Sequence, residues 1–127
     1  MPECYIGTDI VHIPRIRTIL QAPHSPRFLH RIYTPAEQTY CQSKPDPAVH
    51  YAGRFAAKEA IKKCLMQSGF PDPISFQSLE VLPHNRRGPQ VIIHLEEVPT
   101  GTCRISISHD GEYAIAGAIF FPDSCDY

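Results

Sequence analysis

Apolar and polar residues alternate through CYIGTDIVHI, Cys4 to Ile13. β-Branched residues are frequent there and prolines stand on either side, so the stretch predicts a strand. Tyr5, Gly7, Asp9 and Val11 fall on one face, with Ile6, Thr8 and Ile10 on the other. Pro14 suits the first position of a helix carrying Arg15, Ile16, Ile19 and Leu20, and QAPHSP breaks it. RFLHRIY predicts a second short helix and TPAEQTYC a third. In the third, Thr34 is the N-cap, Pro35 the first helical residue and Glu37 the partner in a capping box. After the loop QSKPDP, the principal helix is expected over 47–66, stopped by Gly69 and Pro71. Ser75 to Leu82 and Gln90 to Leu95 predict strands around HNRRGP. GTCRISISHDGEYAIAGAIFF predicts a hairpin closed at Asp110-Gly111. One strand, several helices and three or four antiparallel strands make an α+β domain with helices on one sheet face. Residues 1–127 are expected to form that single domain.

Within the principal helix, Ala52, Ala56 and Ala60 recur every four residues, and Gly53 and Ala57 widen the same small face. Such a face lets a neighbour approach closely. Glu59 lies about 40° from Ala56, and Lys63 lies one turn further on. Arg54, Lys58 and Lys62 are expected on the opposite, wetter side. Glu59 and Lys63 therefore sit at the edge of the packed surface, either as a surface ion pair or as part of a site.

Composition narrows the chemistry. A net charge of −1 argues against a basic nucleic-acid domain. The chain lacks an apolar run of membrane-spanning length, and its start lacks the basic and apolar segments of a signal peptide, so an intracellular location is expected. Five scattered cysteines without a CxxC pair predict mostly free, partly buried thiols instead of a disulfide framework or zinc site.

Several charged side chains then need a role. Asp9 interrupts an apolar strand, where it either faces water at the strand end or meets a partner. Paired with Glu59 it would form a hard-oxygen site for Mg²⁺, completed by water and substrate phosphate. His109 stands at the mouth of a turn, exposed to solvent or touching a phosphate or transferring group. Arg15, Arg17, Arg27 and Arg31 concentrate positive charge, serving solubility or recognition of an acidic protein or phosphate.

IGTDIVHIPRI, RIYTPAE, RFAAKEAIKK and ISISHDGEYAIA, in that order, resemble the motifs of the small bacterial-type holo-acyl-carrier-protein synthases. These are a branch of the 4′-phosphopantetheinyl transferases, and the resemblance runs from residue 5 to about residue 120. It implies that Asp9 and Glu59 hold Mg²⁺, and that Lys63 neutralises the pyrophosphate of coenzyme A. It gives His109 the phosphate region and a part in organising transfer, with Ser108 assisting coenzyme binding. Arg15 and Arg27 would meet the acidic apo acyl carrier protein. The implied reaction moves the 4′-phosphopantetheine arm of coenzyme A onto a carrier serine and releases adenosine 3′,5′-bisphosphate. The serine proton would pass to Glu59 or, preferably, to a water. The resemblance also implies a cytoplasmic homotrimer with clefts between subunits, for which the alanine face is one candidate surface. Asn85-Arg86-Arg87-Gly88-Pro89 departs from the family's usual turn, so its contacts are left unassigned. A non-catalytic carrier-protein or nucleotide-binding oligomeric module is the alternative.

Overall fold

The computed structural model describes residues 3–71, 73–84, 86–95 and 100–123. Strand β1 (Tyr5–His12) runs directly into α1 (Ile13–Gln21), followed by α2 (Ser25–Ile32), α3 (Pro35–Gln42) and the long α4 (Pro47–Gln67). A 3₁₀ turn (Phe76–Ser78) leads to β2 (Leu79–Leu82), then β3 (Gln90–Ile93), β4 (Gly101–Asp110) and β5 (Tyr113–Pro122). The main sheet has the order β1-β5-β4, antiparallel throughout, and β2 pairs with β3 in a separate ribbon. This is the expected α+β arrangement, with four strands after the helices divided between two sheets.

Alternation in β1 is as the sequence predicts: Gly7 and Val11 are buried, whereas Ile6 and Ile10 face outward. On β5, Ala114, Ala116, Ala118 and Phe120 turn inward. They meet the alanine face of α4, where Ala52, Ala56, Ala57 and Ala60 are fully buried. The alanine stripe is therefore internal, packed on the chain's own sheet, and is not a surface between subunits. Its small residues bring helix and sheet close together. At Gly7 the fit is tightest: a Cβ there would run into the carbonyl oxygen of Ala60 and lie 3.1 Å from the Cβ of Lys63.

The capping box of α3 is present, with Thr34 accepting from the Glu37 amide and Glu37 accepting from the Thr34 amide. Glu37 does more. Its Oε1 also accepts from Lys58 Nζ at 2.7 Å, and both side chains are 0% exposed. Lys58 was expected on the wet side of α4, and so was Arg54, yet both are buried. The cause is that α4 is central: α3, the 3₁₀ turn and β2 cover the face opposite the sheet. Losing one member of such a buried pair destabilises by roughly 3–5 kcal/mol, while apolar replacement of both is often neutral.

The other departures are local. Residues 75–78 are not strand, because Phe76 turns in to stack on Phe55 at 5.4 Å and gives its carbonyl to Lys58. Strand β3 ends at Ile93, although the His94 amide still donates to the Ser78 carbonyl at 2.7 Å in register with the β2–β3 pairing. Cys4, Cys41, Cys64 and Cys103 are free thiols, as expected. Burial pushes Cys41 and Cys103 up to about 12 and Cys64 up to about 11, so all three stay protonated near neutrality. Cys125 and Asn85 lie outside the described residues.

Because Gly7 sits against backbone that cannot yield cheaply, Gly7→Ala is expected to destabilise the protein by about 1–3 kcal/mol. Urea denaturation reads this directly, and a midpoint equal to that of the unaltered chain would contradict the packing described.

Candidate active site

Asp9 lies on the helix-facing side of β1, and Glu59 on the turn of α4 that crosses that strand. Both line a cleft of about 330 Å³, with Arg15, His12 and the apolar residues Ile16, Ile19, Phe28 and Phe55. The cleft thus has a charged end and an apolar wall. Phe28 and Phe55 stack with ring centroids 6.5 Å apart, which holds the wall in place. No group of three or more His, Cys, Asp and Glu side chains gathers among the described residues. Two carboxylates on facing elements suit Mg²⁺, which is commonly bound by one or two carboxylates together with substrate phosphates.

Lys63 does not turn toward Glu59. Its ammonium donates to the Thr8 carbonyl at 2.7 Å and stands 3.4 Å from Asp9 Oδ1. The lysine side chain is 49% exposed, whereas that of Asp9 is 21% exposed. The cation therefore offsets a half-buried carboxylate while keeping one side open to solvent.

His109 is elsewhere. It ends the inward face of β4, two strands from Asp9 and two residues beyond Ile107, which lies opposite Asp9, hence about 12 Å away. Beside it is a cationic cluster that sequence reasoning missed. The Arg54 guanidinium lies over the Tyr40 ring at 4.2 Å, and the Lys44 ammonium over the same ring at 4.7 Å. His50 meets Tyr40 edge-on at 5.8 Å. Arg54 is buried, and its Nε finds no hydrogen-bond partner among the described residues. Burial lowers the pKa of His50, and the charges of Arg54, Lys44 and His109 push in the same direction. Nothing in the sequence warned of it: His50, Arg54, Lys58 and Lys62 recur every four residues of α4 like a wet stripe, yet the helix is buried on most sides and Arg54 and Lys58 turn to inward partners.

Ser108 points to the outward face of the sheet, paired with Ile115 and exposed, on the opposite side from His109. Arg15 is at the cleft. Arg17 is engaged within the chain by a two-pronged contact with Asp46, at 2.8 and 3.0 Å. Arg27 stands apart, beside Pro23, His24 and Pro26. The structure thus joins Asp9, Glu59, Lys63 and Arg15, and sets His109, Ser108 and Arg27 at separate places.

The fold is that of a known class. The family model described as the 4′-phosphopantetheinyl transferase superfamily matches residues 5–118. The holo-[acyl-carrier-protein] synthase of Chlorobaculum parvum is 44% identical over 92% of this chain and 97% of its own length. That of Chlamydia pneumoniae is 43% identical over 94% of this chain and 98% of its own. Among solved structures, the ACPS–CoA complex of Chronobacterium ammoniagenes aligns with a TM-score of 0.80 at 30% identity, covering 96% of this chain and 99% of that one. The chain belongs to the bacterial-type holo-[acyl-carrier-protein] synthases within that superfamily. It is an enzyme of phosphopantetheinyl transfer.

The His50 environment has a pH consequence. Its pKa is lowered from 6.5 in the folded protein. Between the folded and unfolded values the unfolded chain binds more protons, so stability falls as pH drops through and below 6.5. NMR titration is expected to give His50 a midpoint below 6.5, with His50→Gln flattening the acid loss of stability. A midpoint above that value would contradict the cationic cluster.

Proposed function

We propose that the protein transfers the 4′-phosphopantetheine group of coenzyme A to a serine of an apo acyl carrier protein, with Mg²⁺, releasing adenosine 3′,5′-bisphosphate. The observation that carries this reading is the meeting of Asp9 and Glu59 in one cleft, with the Lys63 ammonium beside Asp9. Mg²⁺ held by the two carboxylates supplies charge stabilisation at the pyrophosphate. The half-exposed Lys63 adds a fixed positive charge where negative charge builds on the phosphoryl oxygens. The incoming nucleophile is the carrier serine, so no side chain of this enzyme becomes covalently modified. The serine proton passes to a water beside Glu59, because a ligating carboxylate has little freedom to accept it directly. Arg15, at the rim of the same cleft, meets the acidic carrier, and Arg27, apart from it on α2, gives the carrier a second basic contact.

His109, with Arg54, His50 and Lys44, forms the second half of the site and holds a phosphate of the coenzyme. The buried Arg54 Nε without a partner supports an anion there. The two halves occupy opposite edges of one sheet, and this separation favours a site completed by a neighbouring copy. The outward sheet face supports the same reading: Ile6 is 61% exposed, Ile10 60% and Ile115 47%. We assign this apolar face, with Ser108 at its margin, to a homotrimer whose clefts lie between subunits. The reaction belongs in the cytoplasm, where thiols stay reduced, in keeping with the free Cys4, Cys41, Cys64 and Cys103. Among the described residues, no helix is long and apolar enough to cross a membrane.

Intact-mass analysis of apo carrier, coenzyme A, Mg²⁺ and this protein is expected to show one phosphopantetheine-sized gain at a carrier serine. Omission of metal, Asp9→Asn or Glu59→Gln should lower the rate by about 100-fold or more. Light scattering on the same preparation should read three chains. No mass gain would overturn the proposed transfer, and an active monomer would overturn the assembly.

A further inference from the structure

We propose that the buried Lys58–Glu37 pair is the positioning element of the cleft, fixing the rotation and axial slide of α4 so that Glu59 is aimed at Asp9. The inference rests on the transfer function proposed above. At 0% exposure, the Lys58 ammonium cannot meet a substrate. Its three N–H donors are all committed: to Glu37 Oε1 at 2.7 Å, and to the carbonyls of Ile32 and Phe76, each at 2.9 Å. Those acceptors come from α3, the end of α2 and the 3₁₀ turn. Glu37 is fixed in turn by the backbone amides of Thr34 at 2.8 Å and Val81 at 2.7 Å. One point on α4 is thus tied to four other segments.

Three directed bonds to a single ammonium constrain both the rotation of the helix and its position along its axis. Glu59 is the next residue, about 100° further around, so a rotation of α4 moves its carboxylate directly. The alanine face cannot supply that constraint. Small side chains set how near the sheet α4 lies, but they offer shallow ridges against rotation and sliding. Stability does not account for the pair either, since two packed apolar side chains commonly do as well. What apolar packing lacks is direction.

The test compares the unaltered full-length protein with E37Q/K58M, in which the charges are removed together, and with K58R. Each is measured for its urea midpoint, for Mn²⁺ affinity in the presence of coenzyme A by electron paramagnetic resonance, and for kcat and carrier KM. The double variant is expected to unfold cooperatively at a lower midpoint, because the Ile32 and Phe76 carbonyls lose their donor and one of the Thr34 and Val81 amides loses its acceptor. Its Mn²⁺ affinity should fall at least about 10-fold and kcat about 100-fold with carrier KM unchanged, as for a reacting group displaced by about 1 Å. A folded E37Q/K58M protein with undiminished Mn²⁺ affinity and kcat overturns the positioning role. If the double variant does not fold, K58R decides. It keeps the charge, but a planar guanidinium cannot direct three donors at the same oxygens. Its Mn²⁺ affinity should fall as well, and undiminished affinity overturns the proposal. Unaltered protein that binds Mn²⁺ but transfers nothing would defeat the transfer function alone, leaving the metal measurement to judge Lys58.

Discussion

Everything at the cleft follows from the contact between Gly7 and the backbone of Ala60. A side chain at residue 7 would push β1 away from α4, because its first carbon has no room beside the Ala60 carbonyl. With glycine there, and with Ala56 and Ala60 facing Ala116 and Ala118, helix and strand approach closely enough for groups on each to share one cleft. Asp9 is two residues beyond Gly7 on the same strand face, and Glu59 immediately precedes Ala60. Carboxylates brought together in this way repel each other, and the same approach delivers Lys63 to Asp9 and the Thr8 carbonyl. The closeness of packing and the chemistry are one feature of the chain.

Around that contact the helix is held by two different kinds of force. Toward the sheet it is held by apolar contact between small residues, which sets distance. On its far side it is held by Lys58 and Glu37, a charged pair buried among α2, α3 and β2. The positive charges nearer the start of α4 are held differently: Arg54 and Lys44 rest on the Tyr40 ring, and the acid near His50, Asp46, is engaged by Arg17. Along one helix, then, a cation is neutralised where it supports the structure and left available where the proposed coenzyme phosphate would sit.

Much of this was legible in the chain, for reasons that differ by element. The alternation of β1, the capping box at Thr34 and the Asp110-Gly111 turn are signals carried by adjacent residues, and each produced the expected element. Asp9 and Glu59 were recognisable through the motifs around them, and both line one cleft. Lys58 and Arg54 were not legible, because a helical wheel registers charge without registering what lies beyond the helix. The 3₁₀ turn at Phe76 was missed for the same reason, its backbone being committed to Lys58 and its ring to Phe55. The distance between His109 and Asp9 depends on the order β1-β5-β4, which no local pattern specifies.

Under the proposed function, a glycine-allowed approach of strand to helix makes one divalent-cation site from two acids. Anomalous diffraction from crystals grown with coenzyme A and Mn²⁺ tests it most directly. A single strong peak between Asp9 and Glu59, touching the pyrophosphate oxygens, is expected. A peak bound by other side chains, with these two carboxylates in separate surroundings, would contradict it.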